Sequence, residues 1–352
     1  MQKLMTSCLR NMARAKLGVG GQFEPVLAAL YVTPLCNLRC GYCELFGSHR
    51  NAYYRNHSLD LARLKRIVAM LVHECQILYI TGGEPTLRPD IGELLAHARS
   101  LGLPRLAMNT NGLLLHLRPE VLAPLTHLVV SLDSVTQGRR DSSLARRPQL
   151  VAQLLDNIRW VATQQRPRRF TLTLTCVVTP GRVREARQVM ELCFDIGAEF
   201  SIQHLTEERV RSAALARDPE FPAFVTEMIA AKRQGLLVSG SELYLRTVRD
   251  RIPFACVPTA VPHVDHMGRL SYPCRELRDH VLVDLLRAGS LRTAQAEGLA
   301  RYGPPPRDCS SCPDRCYAEI SSLIRHPSAL AREVPYLLRW GGVARVARPL
   351  AV

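Results

Sequence analysis

Val26-Leu27-Ala28-Ala29-Leu30-Tyr31-Val32-Thr33-Pro34-Leu35-Cys36-Asn37-Leu38-Arg39-Cys40-Gly41-Tyr42-Cys43 decides how the rest of the chain is read. Val26–Thr33 is an apolar, β-branched run of strand length, and Pro34 ends it. Three thiols follow within eight residues, with three and then two residues between them. They occupy the loop at the C-terminal end of a strand, the edge where α/β barrels place their chemistry. Thiolates are the soft ligands of iron–sulfur clusters. Three of them serve three irons of a cubane and leave the fourth iron open to a small ligand. A structural zinc site competes with this reading, but it wants four protein ligands, and only His49 is to spare nearby.

Working outward, the same kind of run recurs at Gln76–Thr81, Arg105–Asn109, His127–Leu132, Phe170–Val178 and Glu199–His204. Between these runs lie stretches of helical period: Leu61–Val72, Ile91–Leu101, Leu150–Thr163 and Arg184–Ile196. Six β–α repeats predict an α/β fold with a parallel sheet and helices outside. Six fall short of the eight of a closed barrel, so the expected core is a partial (β/α)6 TIM-like barrel over residues 26–206. Residues 1–25 read as a basic lead-in. Residues 207–251 read as a helical connection, with helices at Pro222–Gly235 and Glu242–Arg251. Pro253, Pro258, Pro262 and Pro273 then break the chain, and cysteines return. Residues 252–320 are expected to form a small, loop-rich, Cys-rich auxiliary cluster domain that lacks much apolar core and needs a metal staple. Residues 321–352 are an apolar tail with interspersed Arg. It reads as a solvated or barrel-closing helix, with a membrane-surface role the weaker alternative.

Composition narrows the function classes. With 47% hydrophobic and 22% charged residues, the 352-residue chain is globular and not disordered. Its longest charge-free stretch, Pro25–Leu38, holds Pro, Thr and Asn and is too short to span a bilayer. Lys3, Arg10, Arg14 and Lys16 precede no apolar signal core, so a reducing cytoplasm is expected, where 12 cysteines read as metal ligands or buried thiols rather than disulfides. Cys75, Cys176 and Cys193 sit in apolar patterns and read as inert core thiols. The net charge of +15 would suit nucleic acid, but no block of like charge and no basic, aromatic-interleaved module is visible. No nucleic-acid partner is therefore expected, and an RNA-modifying enzyme ranks low.

The Cys36–Cys43 segment resembles the signature of the radical S-adenosylmethionine (radical SAM) superfamily, with Tyr42 as the aromatic residue before the last cysteine. Thr81-Gly82-Gly83-Glu84-Pro85 resembles the family's second signature, in which glycines admit a close ligand and backbone groups with Glu84 fix an ammonium group. Asn109 and Asn111 close the third strand, and Ser131 and Asp133 the fourth. By the resemblance these lie near the ribose and methionine parts of SAM, although strand-end turn chemistry alone would also explain Ser131 and Asp133. Arg146, with Arg147 competing, corresponds to an arginine that pairs with the SAM carboxylate. Val178 and Ile202–Leu205 would line the adenine pocket or serve as core. The resemblance implies a [4Fe-4S] cluster on Cys36, Cys40 and Cys43, and cofactor contacts at Tyr42, Gly82, Gly83, Glu84, Pro85, Asn109, Asn111, Ser131, Asp133 and Arg146.

Five further cysteines, Cys256, Cys274, Cys309, Cys312 and Cys316, resemble the twitch and SPASM extensions that bind auxiliary clusters. They are too few for a full SPASM extension, so a one-cluster twitch form and a second [4Fe-4S] cluster are implied. Cys256, Cys274, Cys309 and Cys312 make the best four; Cys316 replaces one of them, meets substrate, or is structural. A four-cysteine zinc ribbon is the physical competitor. The resemblance implies reductive cleavage of SAM to a 5′-deoxyadenosyl radical, with electrons from a flavodoxin- or ferredoxin-type donor. The second cluster points to net oxidation of a small molecule by an oxidoreductase. The alternatives are a peptide maturase forming thioether or carbon–carbon links, and a zinc-stapled binding protein that is no enzyme. Maturases often carry a leader-binding module ahead of the barrel, and 25 residues precede the first strand here. Tyr79, Asn109, Gln203, His204 and Glu207 are the substrate-facing candidates.

Overall fold

The computed structural model describes residues 2–18, 23–43, 58–136, 147–207, 210–306, 312 and 314–339. Six strands pair in parallel in chain order: β1 (Leu27–Tyr31), β2 (Ile77–Thr81), β3 (Arg105–Thr110), β4 (His127–Ser131), β5 (Thr171–Val178) and β6 (Glu199–His204). Helices Leu61–Glu74, Ile91–Ser100, Pro148–Arg168 and Val183–Ile196 fill four of the crossovers. The β3–β4 link uses two single-turn 3-10 helices instead, Leu115–Leu117 and Pro119–Val121. A short antiparallel pair, β7 (Thr206–Glu207) and β8 (Val210–Arg211), follows β6.

Alternation along the strands separates two faces. Leu30, Leu78, Ile80, Leu106, Met108, Leu128, Val130, Leu172 and Leu174 are fully buried and form one core with the helix residues Leu64, Ile67, Leu94 and Ile158. Each such side chain contributes roughly 1.5–3 kcal/mol on burial. The opposite parity carries Tyr79, Asn109, Ser131, Thr175, Ser201 and Gln203, and this is the concave inner face. Local signals agree with the packing. Asp60 caps its helix by accepting from the Arg63 N–H at 2.8 Å, a contact worth about 1 kcal/mol.

The C-terminal half differs from expectation. Residues 252–320 do not stand apart from the barrel. Three strands, β9 (His263–Val264), β10 (Arg269–Tyr272) and β11 (Val281–Asp284), extend the sheet in the order β11-β10-β9-β1-β2-β3-β4-β5-β6. β9 runs parallel to β1, and β10 and β11 return antiparallel. Val264, Leu270, Val283, Leu285, Leu291 and Ala294 join the main core, so this segment gains its apolar packing from the barrel's own flank. The basic lead-in is the helix Gln2–Lys16, tied down where the Asn11 amide and the Glu24 backbone exchange two hydrogen bonds of 2.8 and 2.7 Å. Helix Arg315–Arg325 packs against it, and helix Pro327–Arg339 follows. No described helix is long and apolar enough to cross a membrane.

Candidate functional site

The cysteine loop leaves β1 at the C-terminal rim and is held from three sides. The first clamp comes from the β2 end, where the Gly83 N–H donates to the Thr33 carbonyl at 2.8 Å and the Glu84 N–H to the Leu35 carbonyl at 2.7 Å. Only glycine fits there. A Cβ on Gly82 would lie 2.6 Å from the Thr33 carbonyl oxygen, and its φ of +144° suits no other residue. A Cβ on Gly83 would overlap the Leu35 carbonyl. These glycines admit the chain's own loop, where the sequence alone pointed to a ligand.

The second clamp is Glu84. Its side chain is 1% exposed, and its carboxylate accepts from the Thr86 N–H (3.0 Å), the Thr86 and Thr110 hydroxyls (2.5 and 2.7 Å) and the Asn111 N–H (2.7 Å). Burial raises its pKa, and these donors oppose the shift. With its oxygens so committed, Glu84 joins the ends of β2 and β3 and does not present a free carboxylate for an ammonium group. Pro85, buried, starts the 3-10 turn that follows. The Asn111 amide then reaches the loop itself, donating to the Asn37 side chain at 2.7 Å.

The third clamp is Asp133. One carboxylate oxygen accepts from the Tyr42 hydroxyl at 2.6 Å and the other from the Val177 N–H at 2.9 Å, so β4, β5 and the cysteine loop meet at one side chain. Burial, then the Asp133 charge, pushes the Tyr42 phenol well above its usual range. Cys36, Cys40 and Cys43 are half-buried. The Cys43 N–H donates to the Cys40 carbonyl at 3.1 Å, and the Leu38 N–H donates to the Cys36 sulfur at 3.4 Å. Burial pushes the Cys36 thiol up to about 11, with Glu84, Cys40 and Cys43 as its negative neighbours. Arg146 lies outside the described residues.

Below the rim, the inner face forms a polar row. The Ser131 hydroxyl donates to Asn109 at 3.4 Å, and Thr175 to Ser201 at 3.5 Å. Gln203 shares this face. His204 does not: it has the parity of Phe200 and Ile202, on the packed side, and is 4% exposed. Ile202 is likewise core, and Val178 is fully buried. The side chain of Glu207 lies outside the described residues. Arg315, unremarked in the sequence, enters this space. Its guanidinium donates to the Ser201 hydroxyl and to Ser239 (2.8 Å) and lies 5.4 Å from the Tyr244 ring. Tyr79, whose phenol burial pushes up, has Cys316, Arg315 and Asp314 as charged neighbours.

The C-terminal sulfurs gather beside the barrel. Cys274 and Cys312, 4% and 6% exposed, form one small cluster with Val261 and Tyr317, and Cys256 and Cys316 pack against it. Cys309 lies outside the described residues. Burial pushes the Cys316 thiol up to about 12 and that of Cys312 higher still. Cys75, Cys176 and Cys193 are core thiols at 1%, 1% and 0% exposure. Among the described residues, no three Cys, His, Asp or Glu side chains converge on a single metal ion. A pocket of about 350 Å³, lined by Lys232, Arg246, His326 and Arg332 among others, shares no residue with either sulfur group.

Residues 30–193 match the Radical SAM superfamily. That segment holds the end of β1, β2 to β5, the three cysteines and all three clamps. The GTP 3′,8-cyclase of Vibrio cholerae serotype O1 is 36% identical over 110 residues, which are 30% of this chain and 33% of that protein. The chain thus covers about a third of the length of such curated relatives. Among solved structures, Streptococcus suis SuiB bound to precursor peptide SuiA aligns at a TM-score of 0.59 and 18% identity, over 81% of this chain and 68% of that one. The anSMEcpe enzyme with bound AdoMet aligns at 0.58 and 15% identity, over 90% and 95%. These likenesses show the fold: an open, mostly parallel sheet, extended beyond β1 by β9, β10 and β11.

Proposed function

We propose that the protein is a radical SAM oxidoreductase. The observation that carries this reading is the rim itself, where three thiols in one loop are fixed by the glycine pair, by Glu84 through Asn111, and by Tyr42–Asp133. The donor set fits a cluster with one open iron: three half-buried sulfurs, one already accepting an N–H, in a loop whose backbone cannot drift. When bound, a [4Fe-4S] cluster on Cys36, Cys40 and Cys43 supplies the electron that cleaves SAM to methionine and a 5′-deoxyadenosyl radical, which takes hydrogen from substrate. The chain does the placing. The Gly82–Glu84 turn, whose N–H groups at Gly83 and Glu84 hold the cysteine loop, and the side chains of Asn111 above and Asn109 and Ser131 below are the proposed surroundings of SAM. The polar inner row from Tyr79 to Gln203 receives the substrate.

Cys256, Cys274, Cys312 and Cys316, with Cys309, are the proposed ligand pool of a second cluster. Arg315, next to Cys316 in the chain, donates to the Ser201 hydroxyl on the inner face, which brings that sulfur group toward whatever occupies the barrel. A cluster so placed suits the removal of a second electron from substrate, hence net oxidation of a small molecule, with a flavodoxin- or ferredoxin-type donor. A second reading, ring closure on a nucleotide, is favoured by the identity to the GTP 3′,8-cyclases over a third of their length. Metal analysis with spectroscopy on anaerobically reconstituted protein tests the proposal. The expected result is iron and sulfide for two cubes and a reduced-state signal that changes when SAM is added. Zinc alone, with no cluster absorbance, would overturn it.

A further inference from the structure

Two stacked polar side chains at the second sulfur group are buried without a hydrogen-bond partner among the described residues. His263, on β9, is 4% exposed, and neither ring nitrogen has a hydrogen-bond partner. Tyr317, on the helix Arg315–Arg325, is 1% exposed, and its hydroxyl is equally orphaned. The two rings are stacked, with centroids 5.0 Å apart and planes 16° from parallel. Tyr317 packs in the same cluster as Cys274 and Cys312. Buried polar atoms in native proteins are almost always satisfied, and leaving one unmade costs about 1–3 kcal/mol. Three such atoms at one place, next to gathered thiols, mark a bonding partner that belongs between them.

We propose that His263 and Tyr317 donate hydrogen bonds to the sulfurs of the group held at the second cysteine site, and so hold its reduction potential up. This rests on the reading of that site as an iron–sulfur site. Tyr317 packs with Cys274 and Cys312, and His263 lies against the Tyr317 ring. A phenol hydroxyl and an imidazole N–H are both hydrogen-bond donors. A donor to a cluster sulfur stabilises the reduced state, which carries one more negative charge. The imidazole and phenol would steady each other by stacking.

The test is a redox titration of the reconstituted full chain, followed by the paramagnetic signal of each cluster, for wild type, Tyr317→Phe and His263→Phe. Both variants keep the ring and its stacking, so a role in packing alone would leave the potentials in place. The expected result is a shift of the second cluster to lower potential in each variant, with the first cluster unmoved and the iron content unchanged. Tyr317→Phe removes only one oxygen and keeps the test open should His263→Phe fold poorly. Unchanged potentials in the folded variants would overturn the proposal. A wild-type protein with an intact first cluster and zinc at the second site would overturn it too, and would leave the SAM-cleaving rim untouched.

Discussion

Tyr42 and Asp133 lie 91 residues apart and meet through a single 2.6 Å hydrogen bond. That bond carries the cysteine loop, because Asp133 is anchored in turn to the β5 backbone. Tyr42→Phe removes one donor from a buried carboxylate, at a cost of about 1.5–3 kcal/mol. The expected outcome is a lower urea midpoint and slower 5′-deoxyadenosine formation, with the barrel's circular dichroism unchanged. A variant as stable and as fast as wild type would show that the bond is incidental. His127 makes a separate prediction. Burial, then Arg105, lowers its pKa to about 3, against about 6.5 in the unfolded chain. The folded state therefore refuses a proton that the unfolded state binds. Stability is fully present above pH 6.5 and falls as pH drops toward 3, by up to about 1.4 kcal/mol per pH unit. Denaturant titrations across that window should show a shallower fall in His127→Phe. An equal slope in the two proteins would mean that the imidazole is charged in the fold.

At the scale of elements, the two signatures are one structure. The glycine turn after β2 exists to seat the loop after β1, and no side chain can replace hydrogen there without moving backbone. Gly83→Ala should yield a folded barrel that loads less iron at the first site, measured as iron per chain with the second site as internal reference. Full loading would contradict the close approach. All six barrel strands were legible from β-branched runs bounded by turn residues, and β6 matches its expected limits residue for residue. The four crossover helices and the two of the connection were legible from their apolar period. The helices Leu291–Tyr302 and Arg315–Arg325 escaped in a segment read as loops, and so did shorter or charged elements. β9 has two residues and β10 and β11 four each, between prolines, too few for a period to show. The helix Gln2–Lys16 was hidden by its basic residues. His204 was misassigned because a strand's two faces differ by a single step in register, and Gln203 holds the inner one.

For the whole molecule, the candidate site was legible where motif and rim coincide, and illegible where residues distant in sequence close a space together. Arg315, His263 and Tyr317 carry no motif. Each gains its meaning only because the C-terminal segment folds back along β1 and sends a helix across the barrel. The same fold-back explains why residues 252–320 do not form a self-standing unit: their apolar side chains complete the barrel's core. The most direct measurement of the central claim is 5′-deoxyadenosine released from SAM by dithionite-reduced, iron-loaded protein, wild type against Cys40→Ala. The account predicts steady release from wild type and none from the variant. Release at the same rate from both, or from neither, would contradict it.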